Sequence, residues 1–94
     1  MKVRFNRGAL ADLAEILDYI ADRNPQAAAQ LARQFEEAAE LAGFMREIGA
    51  ETSRPGFRRL VIGNYLMVYE VGLEAVTIHY VRHGARLRPW EGEY

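Results

Sequence analysis

The stretch that decides the fold is 54–86, RPGFRRLVIGNYLMVYEVGLEAVTIHYVRHGAR. Within it, Phe57–Ile62 and Tyr65–Val71 are rich in β-branched and aromatic residues, and only Gly63-Asn64 separates them. A two-residue loop needs positive φ, which glycine and asparagine tolerate, so this spacing predicts a β-hairpin. Gly72, Leu73 and Glu74 then turn the chain into a third run over 75–82. The three runs predict an antiparallel meander.

The loop also fixes the register. With Gly63-Asn64 as the whole turn, Ile62 faces Tyr65, Leu60 faces Met67 and Arg58 faces Tyr69. On the other face Val61 meets Leu66, Arg59 meets Val68 and Phe57 meets Glu70. Both faces are largely apolar, so both need cover. One layer is expected from this chain and the second from a partner chain laid on Val61, Leu66 and Val68.

Upstream, residues 2–6 alternate and read as a short strand with Val3 and Phe5 inward. Asn6 is placed to cap a helix over about 7–23, whose apolar stripe is Leu10, Leu13, Ala14, Leu17 and Ile20. Asp12, Glu15, Asp18 and Asp22 lie on another side and read as a solvated acidic face, because no histidine accompanies them. Asn24-Pro25 starts a second helix, with proline at the position where its missing N–H is not needed. That helix runs from Pro25 to Leu41 or beyond on a stripe of Ala28, Leu31, Ala32, Phe35, Ala38, Ala39 and Ala42. The short link makes the two helices an αα-hairpin. Gly43 weakens the helix, Gly49 is a plausible stop, and 50–56 reads as a polar loop. The expected fold is therefore α+β, in the order β-α-α-β-β-β, with an antiparallel sheet packed against the helical hairpin. It forms one domain over 1–94, of which 89–94 reads as a loose tail.

Composition narrows the function classes. The chain has no cysteine, which removes disulfides and thiolate metal sites. No secretory leader and no membrane-length apolar run is visible, so a cytoplasmic protein without membrane association is expected. No metal or other cofactor is implied. The net charge of −1 hides an asymmetry. Residues 1–51 hold six Lys or Arg against nine Asp or Glu, whereas 52–88 hold six Arg against two Glu. Lys2 is the only lysine. Arginine is weakly hydrated and forks its hydrogen bonds, so it suits surfaces that bind carboxylates or phosphates.

The candidate site is accordingly Arg58, Arg59, Arg82, His83, Arg86 and Arg88, expected at one end of the meander. Histidine is the side chain most often used as an acid or base, so His83 is a candidate for that role, or else satisfies backbone groups at a strand end. His79 lies mid-strand and reads as structural. Ser53 is the only serine and has no base beside it. No glycine-rich phosphate loop precedes either helix.

The strand–helix–helix–meander order resembles the RelE/ParE family of bacterial toxins from type II toxin–antitoxin systems. The residues that carry the resemblance are Arg58-Arg59-Leu60, then Gly63, Tyr65, Tyr69 and Val71, then Val81 and His83-Gly84-Ala85-Arg86. It covers about residues 2–90. It implies a toxin held silent by a cognate antitoxin, typically a small DNA-binding protein such as a ribbon-helix-helix ParD-like chain, in a hetero-oligomer. RelE-like members cleave mRNA on the ribosome, and in that reading His83, Arg86 and Arg59 are the catalytic candidates. ParE-like members poison DNA gyrase by binding. Nuclease members usually carry arginine just after the tyrosine of the third strand, where this chain has Leu66. They commonly place a tyrosine after the last strand, and here none lies between His83 and Pro89. They often use lysines, of which the meander has none. The resemblance therefore implies gyrase as the target, with the arginines as its contact surface.

Overall fold

The β-hairpin forms as its loop demands. In a computed structural model describing residues 1–84, β3 (Phe57–Ile62) and β4 (Tyr65–Val71) pair antiparallel in the register set by Gly63-Asn64, from Ile62 opposite Tyr65 to Phe57 opposite Glu70. Gly63 takes φ 59°, the left-handed region that a side chain resists. β5 (Ala75–His83) completes the meander. Arg86, Arg88 and the tail 89–94 lie outside the described residues.

The sheet is larger and less uniform than the meander alone. β1 (Lys2–Phe5) joins it parallel to β5, with Val3 opposite Val76 and Phe5 opposite Ile78. The segment expected as a plain loop contributes β2 (Ala50–Glu51), antiparallel to the start of β3. The result is a five-stranded mixed sheet in the order β1-β5-β4-β3-β2, not a purely antiparallel one. Parallel pairing needs a crossover, and the helical hairpin between β1 and the meander supplies it.

α1 (Arg7–Ala21) and α2 (Pro25–Phe44) begin where their caps predict. The Asn6 and Asn24 side chains accept hydrogen bonds from the Ala9 and Ala27 amides at 2.8 and 3.1 Å. The α2 stripe packs as read, with Ala28, Phe35, Ala39 and Ala42 buried. In α1 the buried side is rotated: Ala9 is fully buried, while Leu10 and Ala14 are exposed. Asp12 leaves the acidic face for a structural reason. Its Oδ2 accepts from the Val81 amide at 3.0 Å, satisfying a backbone donor of β5 beyond the reach of β1. No helix among the described residues is long and apolar enough to cross a membrane.

Both helices cover one face of the sheet. The core there joins Phe35, Ala39, Ile62, Met67, Tyr69, Val76, Ile78 and Val81, with Val3 and Phe5 packed against it. Two glycines read as helix punctuation prove to be points of close approach. A Cβ on Gly43 would meet the Val3 side chain, and the amino terminus donates to the Gly43 carbonyl at 2.9 Å. A Cβ on Gly49 would lie 2.6 Å from the Arg59 carbonyl oxygen and 2.7 Å from the Tyr69 hydroxyl.

Candidate functional site

The distribution of arginines follows from one irregularity in β5. Tyr69 stands opposite Ile78, but Val68 stands opposite Tyr80, so His79 is an extra residue in a β-bulge. Side chains alternate along a strand, and the extra residue resets the alternation. Val76 and Ile78 face the helices before the bulge; Val81 and His83 do so after it. Tyr80 and Arg82 are thereby turned to the far face, where Val68 and Leu66 are their opposite numbers.

The far face collects four cations from three strands. Because Val3 and Phe5 pack toward the helices, Lys2 and Arg4 point away from them. Arg59 sits opposite Val68, and Arg82 opposite Leu66. The Arg82 guanidinium lies 4.7 Å from the centre of the Tyr80 ring, within cation–π range. Glu70 is the one carboxylate that these strand faces present, and it is engaged. Its Oε1 accepts from His79 Nε2 at 2.9 Å, while His79 Nδ1 lies 3.2 Å from Asn6 Nδ2. Asn6 Oδ1 already caps α1, so its amide group donates to Nδ1, which selects the neutral Nε2–H tautomer of His79. Both ring nitrogens are then occupied, and the Phe57 ring packs on the imidazole at 4.9 Å. His79 is structural, as its mid-strand position suggests.

Of the remaining candidates, Arg58 and His83 do not converge at one end of the meander. Arg58 faces the helix side opposite Tyr69, whereas His83 lies at the other end of the sheet, opposite Tyr65. Arg58 is tied into the loop before β2. Its Nη1 donates to the carbonyls of Gly49 at 2.7 Å and Glu47 at 3.3 Å, and its Nη2 to Glu51 at 3.4 Å. The Tyr69 hydroxyl closes the same corner, accepting from the Gly49 amide and donating to the Arg46 carbonyl, each at 2.9 Å. Burial pushes the Tyr69 phenol above its ordinary pKa, against the smaller opposing pulls of the Gly49 amide and the Arg58 charge. His83 is exposed and meets the Tyr65 ring edge-on at 5.2 Å. Arg59 and His83 thus lie on opposite faces of the sheet, and Arg86, the third member of that set, lies outside the described residues.

The apolar trio on the far face is also unequal. Val61 is 72% exposed, but Leu66 and Val68 are 2% and 0% exposed, clustered with Phe57 and flanked by Tyr80. Only Val61 offers a partner substantial surface. Sequence reasoning missed Lys2, Arg4 and Tyr80 as members of this face. The alternation of Lys2 and Arg4 with Val3 and Phe5 carried the signal, but the place of β1 beside β5 did not show in it.

Comparison with known proteins fits this architecture. Residues 3–88 match the family described as the ParE toxin of type II toxin–antitoxin system, parDE. The chain is 35% identical over 79 residues to Toxin RelE2 of Caulobacter vibrioides, covering 84% of this chain and 90% of that protein. A solved structure, the chromosomal ParDE toxin–antitoxin system from P. aeruginosa, superposes with a TM-score of 0.75 over 88% of this chain and 95% of its own. At 20% identity that likeness speaks for the fold. The family match spans nearly the whole sequence, and the chain belongs to the ParE/RelE family, the toxins of type II toxin–antitoxin systems whose partners are antitoxins.

Proposed function

We propose that this toxin acts by binding, in the ParE manner, and that its target is DNA gyrase. The observation that carries the reading is the dispersal of the groups a nuclease would need. Cleavage of RNA by general acid–base chemistry requires a base, an acid and a cation around one phosphate. Here His83 faces the helix side and Arg59 the far side, while both nitrogens of His79 are occupied. Leu66 fills the position where nuclease members place arginine, and it is buried against Val68.

The far face suits binding instead. Lys2, Arg4, Arg59 and Arg82 form a basic surface on a chain of net charge −1, so attraction to an anionic partner is local. Carboxylates of gyrase, phosphates of its bound DNA, or both are what it would meet. Arg86 and Arg88 are proposed as further contacts of the target, whereas Arg58 is held on the helix side by Gly49, Glu47 and Glu51. The antitoxin is proposed to be a ParD-like ribbon-helix-helix protein that contacts Val61, and the cytoplasm is the proposed site of action.

The test is a supercoiling assay beside a translation assay on one preparation. Purified toxin should block gyrase supercoiling and trap cleaved DNA, while translation continues. Intact supercoiling at high toxin excess, with mRNA cleaved on the ribosome and the cleavage abolished by His83→Ala, would establish the nuclease reading instead.

A further inference from the structure

The bulge that turns Tyr80 and Arg82 to the far face is gripped by the start of α1. Before the bulge, the Asn6 amide donates to the Ile78 carbonyl at 3.0 Å. At the bulge, the Asn6 side chain meets His79 Nδ1 at 3.2 Å. Beyond it, Asp12 accepts from the Val81 amide at 3.0 Å. The first turn of α1 passes so close that a Cβ on Gly8 would lie 3.4 Å from the His79 carbonyl oxygen. A bulge re-aims the side chains around it, so what holds this bulge also holds Tyr80 and Arg82 in place.

Asn6 serves two partners with one amide group. Its Oδ1 accepts from the Ala9 amide at 2.8 Å, which caps α1, and its Nδ2 is left to donate to His79 Nδ1. On the other side of the ring, Nε2 lies 2.9 Å from Glu70 Oε1. An ionised carboxylate only accepts, so Nε2 carries the hydrogen. The chain from the Ala9 amide through Asn6 and His79 to Glu70 thus pairs one donor with one acceptor at every link, and it does so only while the ring is neutral.

A proton on Nδ1 breaks that order. An imidazolium donates from both nitrogens, so Nδ1–H then faces the Nδ2 donors of Asn6. Asn6 restores the bond only by rotating its amide to turn Oδ1 to the ring, and Oδ1 is then lost to Ala9. The ring is open to solvent, with the His79 side chain 30% and the Glu70 side chain 46% exposed, so a proton reaches it without unfolding. Charged groups surround it from several elements. Glu70 on β4 pairs with it directly. Arg4 on β1 and Arg59 on β3 lie on the same face of the sheet. Arg54 lies over the Phe57 ring, which packs on the imidazole. Asp12 approaches from α1 but is bound to the Val81 amide.

We infer that His79 is a positioning residue whose grip depends on pH: protonation of Nδ1 takes the N-cap from α1 and loosens the hold of α1 on the bulge that presents Tyr80 and Arg82. The coupling lies wholly within this chain, whether gyrase or the ribosome is the target. Only its effect on inhibition rests on the far face being the target surface.

NMR spectroscopy of the isotopically labelled full chain tests this, in a titration across the range in which histidine changes charge, from about pH 8 to about pH 5. At the upper end the ring nitrogen signals of His79 should show the Nε2–H tautomer. As the ring charges, the Ala9 amide proton should move upfield with the loss of its bond to Oδ1, along the same curve as the His79 ring. The Cα shifts of Tyr80 and Arg82, which report backbone conformation, should follow that curve too. Asn6→Asp is the discriminating variant. Its carboxylate caps a helix as well as asparagine does and accepts from the Ala9 amide and from Nδ1–H together. The Ala9 response should therefore vanish while His79 still titrates. Asn6→Ser caps α1 without spanning to the ring, and it should uncouple the two signals as well if the aspartate perturbs the fold. The chain has two histidines. The other, His83, lies at the end of β5 opposite Tyr65, and His83→Gln should leave the Ala9 response unchanged. Independent titration of Ala9 and His79 in the parent chain would overturn the inference. So would the Nδ1–H tautomer at the upper end, or an Ala9 response of equal size in Asn6→Asp. The titration contains neither gyrase nor ribosomes, so its failure leaves the proposed target untouched.

Discussion

The two faces of the sheet use their side chains for opposite purposes. Toward the helices, Tyr69, Met67, Val76 and Ile78 are wholly buried, and the one phenol among them has both a donor and an acceptor. Away from the helices, two buried aliphatics, Leu66 and Val68, lie among Arg59, Arg82, Tyr80 and Val61. Burial of apolar atoms and satisfied polar groups is what stabilises a fold. Exposed guanidiniums stabilise it little, so their concentration on one face points to recognition. Substitutions should therefore divide by face.

The largest effect is expected at Tyr69. Tyr69→Ala removes a fully buried ring and should cost about 3–5 kcal/mol in urea denaturation. A loss under about 1 kcal/mol would break the comparison, because the helix-covered face would then not be the centre of stability. Gly49→Ala comes next. The added carbon crowds both the Arg59 carbonyl and the Tyr69 ring and hydroxyl, and the expected cost is about 1–3 kcal/mol.

Tyr69→Phe keeps the ring and deletes the bridge between Gly49 and Arg46, for a loss of about 1–2 kcal/mol. It also changes the response to alkali. The folded phenol holds its proton above the ordinary pKa of 10.0, so the folded state binds more protons than the unfolded state once pH exceeds that value. The tyrosine's contribution is fully present below pH 10.0 and is lost as pH rises beyond it. Denaturation midpoints measured across this range should fall for the parent chain and fall less for Tyr69→Phe.

The smallest stability effect is expected on the far face. Arg59→Ala and Arg82→Ala should each change stability by no more than about 0.5 kcal/mol. In the gyrase assay they should weaken inhibition, by about 2–5 kcal/mol if the contact is buried in the complex and far less at its rim. Unaltered inhibition by both variants would remove the far face from the proposed target surface.

Much of this division could be read in the chain, because short-range rules govern it. Gly63-Asn64 determines the register of β3 on β4, and Asn6, Asn24 and Pro25 mark where the helices begin. The placement of Arg59 and Val61 on one face follows from that register. What escaped reading depends on distant partners. No local signal pairs Lys2–Phe5 with Ala75 to Ile78, and two residues are too few for Ala50–Glu51 to read as a strand. The bulge at His79 is invisible in a run that alternates smoothly on paper, yet it decides which face Arg82 joins. Arg58 and Arg59 are adjacent and alike in sequence, but alternation sends one into a structural clamp and the other to the far face. Gly43 and Gly49 were legible as breaks in a helix, not as places where another segment passes closely.

The parallel seam between β1 and β5 also has a consequence in time. Among the described strands, β1 is synthesised first and β5 last. Val3 must wait for Val76, and Asn6 for His79, before the sheet can close. Contacts so distant in sequence form late, after the chain between them has been made. A nascent chain therefore lacks its far-face arrangement until β5 has been made and has paired with β1.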